Sequence, residues 1–180
     1  MGGQSACGLC GLTAPPAYNR PVRTGLASFV VLLGLSAPTL AATPTPAPPL
    51  AGTGLAAGTH VSLASFSRRP VVVDLWASWC GGCIHEAPTL ARFSRAHPRV
   101  AVLGIDTMDS RAPALAFARS YGLGFPSIFD PHGWLFVRLH SPGLPATLFL
   151  DRRHRIVRGI AGVASRAQLE SGLRVAQRAA

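Results

Sequence analysis

The stretch Val71-Val-Val-Asp-Leu-Trp-Ala-Ser-Trp-Cys-Gly-Gly-Cys83 decides the fold. Val71 to Trp76 reads as a buried strand, because β-branched and aromatic residues suit a covered, pleated surface. After Cys80 the apolar residues Ile84, Ala87, Leu90 and Ala91 recur at helical spacing. Cys80 therefore stands where a strand hands over to a helix, and Cys83 stands one turn in. The unpaired N–H groups of a helix start favour a thiolate over a thiol. Two intervening residues also let the sulfurs close into a small disulfide ring. The layout is that of a reversible dithiol switch.

Outward from this motif, His60 to Phe66 reads as a short strand, and Arg68-Arg69-Pro70 as the turn into the central strand. The Cys80 helix should end near Ala96, since His97-Pro98 disfavours its continuation. Val100 to Ile105 is a second buried strand, ending at Asp106. Ser110 is placed to cap a helix from Arg111 to Tyr121, stopped by Gly122 to Gly124. Phe125 to Asp130 is extended. Trp134 to Leu139 is a helix or a strand; periodicity does not separate them in so short a run. Ala146–Leu150 and Ile156–Ile160 form a hairpin, and Ser165 with Gln168 forms a capping box for a last helix. A parallel crossover followed by a hairpin implies an α/β domain with a mixed sheet covered by helices.

The central stretch resembles the active site of the thioredoxin superfamily. Cys80-Gly-Gly-Cys-Ile-His-Glu-Ala-Pro88 more closely resembles the exported TlpA/ResA-like thiol–disulfide oxidoreductases, including those of cytochrome c maturation. Trp79, Cys80, Cys83, Glu86 and Pro88 match that pattern, and Gly82 departs from it, a proline being usual there. The resemblance runs to about Arg178. It implies a thioredoxin-like fold with an inserted helix–strand element before the cis-proline, here Ser110 to Phe129. It implies that Cys80 is the nucleophile and Cys83 the resolving cysteine, paired as a redox-active disulfide. It implies that Pro145, in Gly143-Leu-Pro-Ala-Thr147, is cis and faces the cysteines, leaving the backbone of Leu144 to pair with an extended substrate. Trp79 would shield Cys80 or receive substrate, while Trp76 suits the core.

Two acids lie near the sulfurs. Asp74 shares a strand face with Val72 and Trp76. Burial should raise its pKa, and by resemblance it takes a proton from Cys83 during resolution. Glu86 lies on the same helical face as Cys83 and is a second candidate for that proton. Each also has a plain reading: a satisfied acceptor for Asp74, a first-turn acid favoured by the helix dipole for Glu86. His85 reads as an exposed spectator. Glycine at position 82 loosens the helix start and should make the disulfide more oxidising than a proline-bearing counterpart.

The chain of 180 residues has room for one domain and an extension. Residues 1–42 read as a signal peptide or N-terminal membrane anchor. Arg20 and Arg23 precede an apolar run, Gly25 to Ala37, which is short for a membrane span. Cleavage before Ala42 fits Thr39-Leu-Ala41. Residues 43–58 read as a Pro/Gly-rich linker with polyproline character, and 59–180 as the thioredoxin-like domain. Cys7-Gly-Leu-Cys10 precedes the export signal, so a shared four-thiolate zinc site with the second pair is disfavoured, and no metal or other cofactor is expected.

All 17 basic residues are arginine, against seven acids, for a net charge of +10. No basic helix or aromatic platform accompanies that charge, so nucleic acid is not the expected partner. The expected partners are cysteine-containing exported proteins, apocytochrome c being the family's best-known case, and a membrane thiol-electron carrier. The protein is expected to be a monomer outside the cytoplasm, periplasmic or tethered. Two rivals remain. A peroxiredoxin-like peroxidase places threonine three residues before its reactive cysteine, where this chain has Ala77. A non-catalytic periplasmic binding or chaperone module would use the cis-proline groove without turnover.

Overall fold

The computed structural model describes residues 44–179. The expected signal peptide or anchor, with Cys7 and Cys10, lies outside these residues. Among the described residues, no helix is long and apolar enough to cross a membrane.

The centre is β4 (Val71–Trp76), every residue of it buried. It runs parallel to β5 (Ala101–Thr107) and antiparallel to β7 (Ala146–Leu150). Beyond β5 lies β6 (Ser127–Asp130), parallel; beyond β7 lies β8 (Arg155–Ala161), antiparallel. With β1 (Thr45–Pro46) at the edge, the six-stranded order is β1-β8-β7-β4-β5-β6, the mixed sheet expected. Such a sheet buries both faces of its central strands, so β4 and β5 read as apolar runs rather than as alternation.

The register puts Val72, Asp74 and Trp76 on one face. That face packs under α1 (Gly81–Ala96), α2 (Arg111–Tyr121) and α4 (Arg166–Arg178), through residues such as Leu90, Phe117 and Leu173. Val71, Val73 and Leu75 face the other way, under α3 (Trp134–Arg138) and the N-terminal stretch. The segment left open as helix or strand is thus a short helix. Asp130 starts it by accepting the N–H groups of Trp134 (2.9 Å) and Leu135 (3.0 Å).

Three local expectations change. First, part of the 43–58 linker is built into the fold. β1 (Thr45–Pro46) pairs with β8 at the sheet edge, where a proline's missing N–H costs no ladder bond. Leu50 is 1% exposed within the second core. Burying such a side chain contributes about 1.5–3 kcal/mol, which is enough to hold a short extended segment down. β2 (Ala51–Thr53) then pairs with β3 (His60–Ser62) in a small hairpin. Second, β3 is shorter than the expected His60–Phe66 strand. Ser62 accepts the Ala64 N–H and turns the chain into a 3-10 helix, Leu63–Phe66. Third, Ser110 sits at the α2 N-cap without a side-chain capping bond. At the far end, Gly122 takes a φ of 64°, the left-handed geometry that closes α2. Ser165 and Gln168 form the reciprocal capping box of α4.

Candidate active site

Cys80 is the N-cap of α1, and its Sγ accepts the Cys83 N–H at 3.1 Å. The two cysteines are joined as a disulfide with Cα atoms 5.2 Å apart. Both are buried: Cys80 is 5% exposed and Cys83 2%. The Leu144–Pro145 peptide bond is cis. Pro145 lies across from the dithiol: a Cβ built on Gly82 would come within 2.8 Å of Pro145 Cδ and 3.4 Å of Val163 Cγ2. Glycine at position 82 is thus what lets this turn of α1 approach Pro145. Gly81, its neighbour, faces open space.

Asp74 and Glu86 meet behind Cys83. Both are 2% exposed, and with Cys83, Trp76, Phe117 and Leu123 they line an enclosed cavity of about 10 Å³. That is close to the space one water needs. Asp74 Oδ1 has no hydrogen-bond partner, nor does the hydroxyl of Thr147, its register neighbour on β7. Burial raises the Asp74 pKa well above the ordinary carboxylate range, and the nearby Glu86 charge raises it further. Burial also pushes Glu86 up to about 7. The Ala164 N–H, donating to Glu86 Oε1 at 2.7 Å, pulls the other way, and the neighbouring Thr147 hydroxyl assists it without reaching good hydrogen-bond geometry. Neither plain reading describes these acids. Asp74 is not a satisfied acceptor, and Glu86 faces the interior rather than the helix rim.

Trp79 is 59% exposed and stands at the rim, its Nε1 donating to Met108 O at 2.9 Å. Trp76 is buried and stacks on Phe117 with ring centroids 5.0 Å apart. His85 is exposed, and Leu144 is half-buried beside Pro145. The structure thus gathers Cys83, Asp74 and Glu86 around one cavity, with Cys80 and Pro145 buried beside them, Leu144 half-buried and Trp79 exposed at the rim.

The sequence reading missed Thr147, the Ala164 N–H and the whole Met108–Asp109 loop. Asp109 Oδ2 accepts the Ser78 N–H at 2.6 Å, and Asp109 Oδ1 accepts the Ser110 N–H at 2.6 Å. The visible hint was Asp106, a carboxylate at the end of a buried strand. Among the described residues, no group of three or more histidine, cysteine or acidic side chains is arranged to hold a metal ion.

Similar proteins share this arrangement's fold. The "thiol:disulfide interchange protein DsbE homolog" of Paracoccus denitrificans is 36% identical over 98 residues, 53% of this chain and 53% of its own. The "thiol-disulfide oxidoreductase ResA" of Bacillus thuringiensis is 25% identical over 119 residues, 65% of this chain and 69% of its own. The match thus spans about half the length of the first relative and about two thirds of the second. A solved DsbF homologue from Corynebacterium diphtheriae superposes with a TM-score of 0.67 at 27% identity, over 73% of this chain and 86% of its own. The fold is thioredoxin-like. A family profile matches residues 37–158, about two thirds of the sequence, and the chain accordingly belongs to the AhpC/TSA family.

Proposed function

We propose that this protein is a thiol–disulfide oxidoreductase acting outside the cytoplasm on cysteine pairs of other exported proteins. The observation that carries the reading is the pair of buried acids, Asp74 and Glu86, lining one small cavity with Cys83. A structural disulfide has no use for a proton acceptor poised near neutral pH beside one of its sulfurs; a resolving cysteine does.

The steps balance as follows. The Cys80 thiolate attacks a substrate disulfide, forming a mixed disulfide and releasing one substrate thiolate. Cys83 gives its proton to the Asp74–Glu86 pair, directly or through one water. Its thiolate attacks Cys80 Sγ, closes the Cys80–Cys83 disulfide and expels the second substrate thiolate. The substrate gains two electrons and the dithiol loses two. Run backwards, the same steps oxidise a substrate dithiol. The Leu144 backbone beside Pro145 aligns an extended substrate segment, and Trp79 covers its side chains. Apocytochrome c is a client of fitting chemistry, and a membrane thiol carrier is the fitting electron source. Residues 1–42 serve as the export signal or tether.

The names of the relatives support this reading over a peroxidase, as does the paired cysteine in a motif with Ala77 where peroxidases need threonine. A chaperone module without turnover would need neither Cys83 nor the acids behind it. Trapping separates these readings. The Cys83→Ser full-length protein should accumulate mixed disulfides with exported proteins through Cys80, and Cys80→Ser should not. Equal recovery of partners with both variants, by contacts that survive without a disulfide, would favour the binding module.

A further inference from the structure

A second pair of acids, Asp106 and Asp109, lies at the end of β5 beside Trp76; Asp106 is buried and Asp109 half-buried. Asp106 is near the end of β5, opposite Trp76 on β4 and Phe129 on β6. It is wholly buried, and neither carboxylate oxygen receives a hydrogen bond. Three charged groups face it: Asp109 in the following loop, Arg111 on α2 and Asp130 on β6.

Two of the three are committed elsewhere. Arg111 Nη1 donates to Gly54 O (2.8 Å) and Leu55 O (2.6 Å), and its guanidinium lies 4.2 Å from the Phe129 ring centroid. Asp130 accepts from Thr107 Oγ1 (3.0 Å) and from the first N–H groups of α3. Asp109 remains, close enough to hydrogen-bond with Asp106. Two carboxylates cannot bond to each other without a proton between them. Burial, and then the Asp109 charge, push Asp106 up to about 8, and Arg111 only partly offsets this.

Asp109 in turn holds the turn that carries Cys80. Its two oxygens bind the Ser78 and Ser110 N–H groups, and the adjacent Met108 carbonyl binds Trp79 Nε1. Met108 adopts a φ of 52°, rare for a residue with a side chain, and is held there by its N–H bond to Asp130 O at 3.0 Å.

We propose that Asp106 and Asp109 form a proton-sharing positioning pair that fixes the Ser78–Trp79 turn and, through it, the attacking sulfur of Cys80. Protonated Asp106 donates its O–H to an Asp109 oxygen, and Asp109 keeps both backbone N–H groups. When Asp106 loses that proton to solvent, its buried charge repels the Asp109 carboxylate and no shared proton holds the two together. Asp109 is then driven off Ser78, and the turn loosens. The consequence for Cys80 rests on the proposed exchange chemistry; the pair itself does not.

The test uses the full chain in its disulfide form, where neither Cys80 nor Cys83 titrates. The backbone amide resonances of Ser78 and Ser110 should shift together with one midpoint near pH 8. The transition should survive Glu86→Gln and vanish in Asp106→Asn, whose amide supplies the donor without a titrating proton. In reduced protein at high pH, wild type should attack a small disulfide about threefold more slowly than Asp106→Asn, a difference of about 0.65 kcal/mol in barrier, and at pH 7 the two should match. Amides that stay flat across this range, or a transition that survives Asp106→Asn, would overturn the pair. Equal attack rates at every pH would overturn its positioning role. Titrating amides in a protein with no exchange activity would support the pair and count against the proposed function instead.

Discussion

Asp74 and Asp151 are equally hidden carboxyl groups in the same sheet, yet the fold treats them in opposite ways. Asp151 closes the β7–β8 turn. It accepts the N–H groups of Arg153 and Arg155, both at 2.9 Å, and Arg155 Nε at 2.7 Å. Burial pushes its pKa up, but these bonds and the Arg155 charge outweigh burial and leave the pKa lowered. Asp74 has an oxygen with no donor, faces Glu86, and is raised. Burial alone therefore does not decide the fate of a carboxylate; the donors supplied to it do. One acid is kept charged to hold a hairpin, and the other is kept ready to take a proton beside a sulfur.

The strongest way to break this contrast is to neutralise each acid in turn. The double variant Asp74→Asn, Glu86→Gln should slow resolution of a mixed disulfide about a hundredfold at pH 7 in single-turnover kinetics, the scale of general base catalysis. It should not lower stability. Asp151→Ala should do the reverse, losing about 2–3 kcal/mol in urea unfolding as its charge-assisted bonds disappear, with resolution unchanged. Equal kinetic defects in both variants would erase the distinction.

The pH dependence of stability sharpens it. Glu86 rises from 4.5 unfolded to about 7 folded. Its stabilisation is complete below about pH 4.5 and is lost as pH rises through about 7. At about 1.4 kcal/mol per unit, that loss is about 3 kcal/mol. Glu86→Gln should flatten this decline, between about pH 4.5 and 7, in urea midpoints of the oxidised protein. Asp151 has the opposite sign: its contribution is present above its ordinary value of 3.8 and is lost as pH falls toward its lowered value. Asp151→Asn should flatten only the acid limb.

The smallest effect concerns the two glycines between the cysteines. Gly82→Ala drives a Cβ to 2.8 Å from Pro145 Cδ and should cost about 1–2 kcal/mol net. Gly81→Ala meets nothing within 4 Å and should be neutral or gain up to about 1 kcal/mol from helix propensity. Thermal unfolding of the two single variants checks this.

Features encoded in neighbouring residues were legible in the sequence. The β-branched run of β4, Cys80 at the strand-to-helix handover, Gly122 after α2 and the Ser165–Gln168 box each announce themselves within a few positions. Asp74 and Glu86 were readable as candidates because strand alternation and helical spacing aim both toward Cys83. The rest depends on contacts between distant segments. Nothing local marks Pro46 as an edge strand, since its partner Arg155 lies more than a hundred residues away. Gly82 meets Pro145 only through the tertiary fold, and Asp109 reaches Ser78 only because β4 and β5 lie side by side. Trp134 to Arg138 is too short for periodicity to show a helix; the Asp130 carboxylate decides it.

The most direct test of the central claim is the redox equilibrium of the Cys80–Cys83 pair in the full-length protein against glutathione. The account predicts one reversible two-electron couple. Its potential should lie between about −270 mV, where thioredoxin sits, and about −120 mV, where strong disulfide donors sit, because glycine at position 82 opposes ring closure. A disulfide that shows no reversible couple, or one that can be reduced but never re-forms, would contradict the account and leave the pair as a structural bridge.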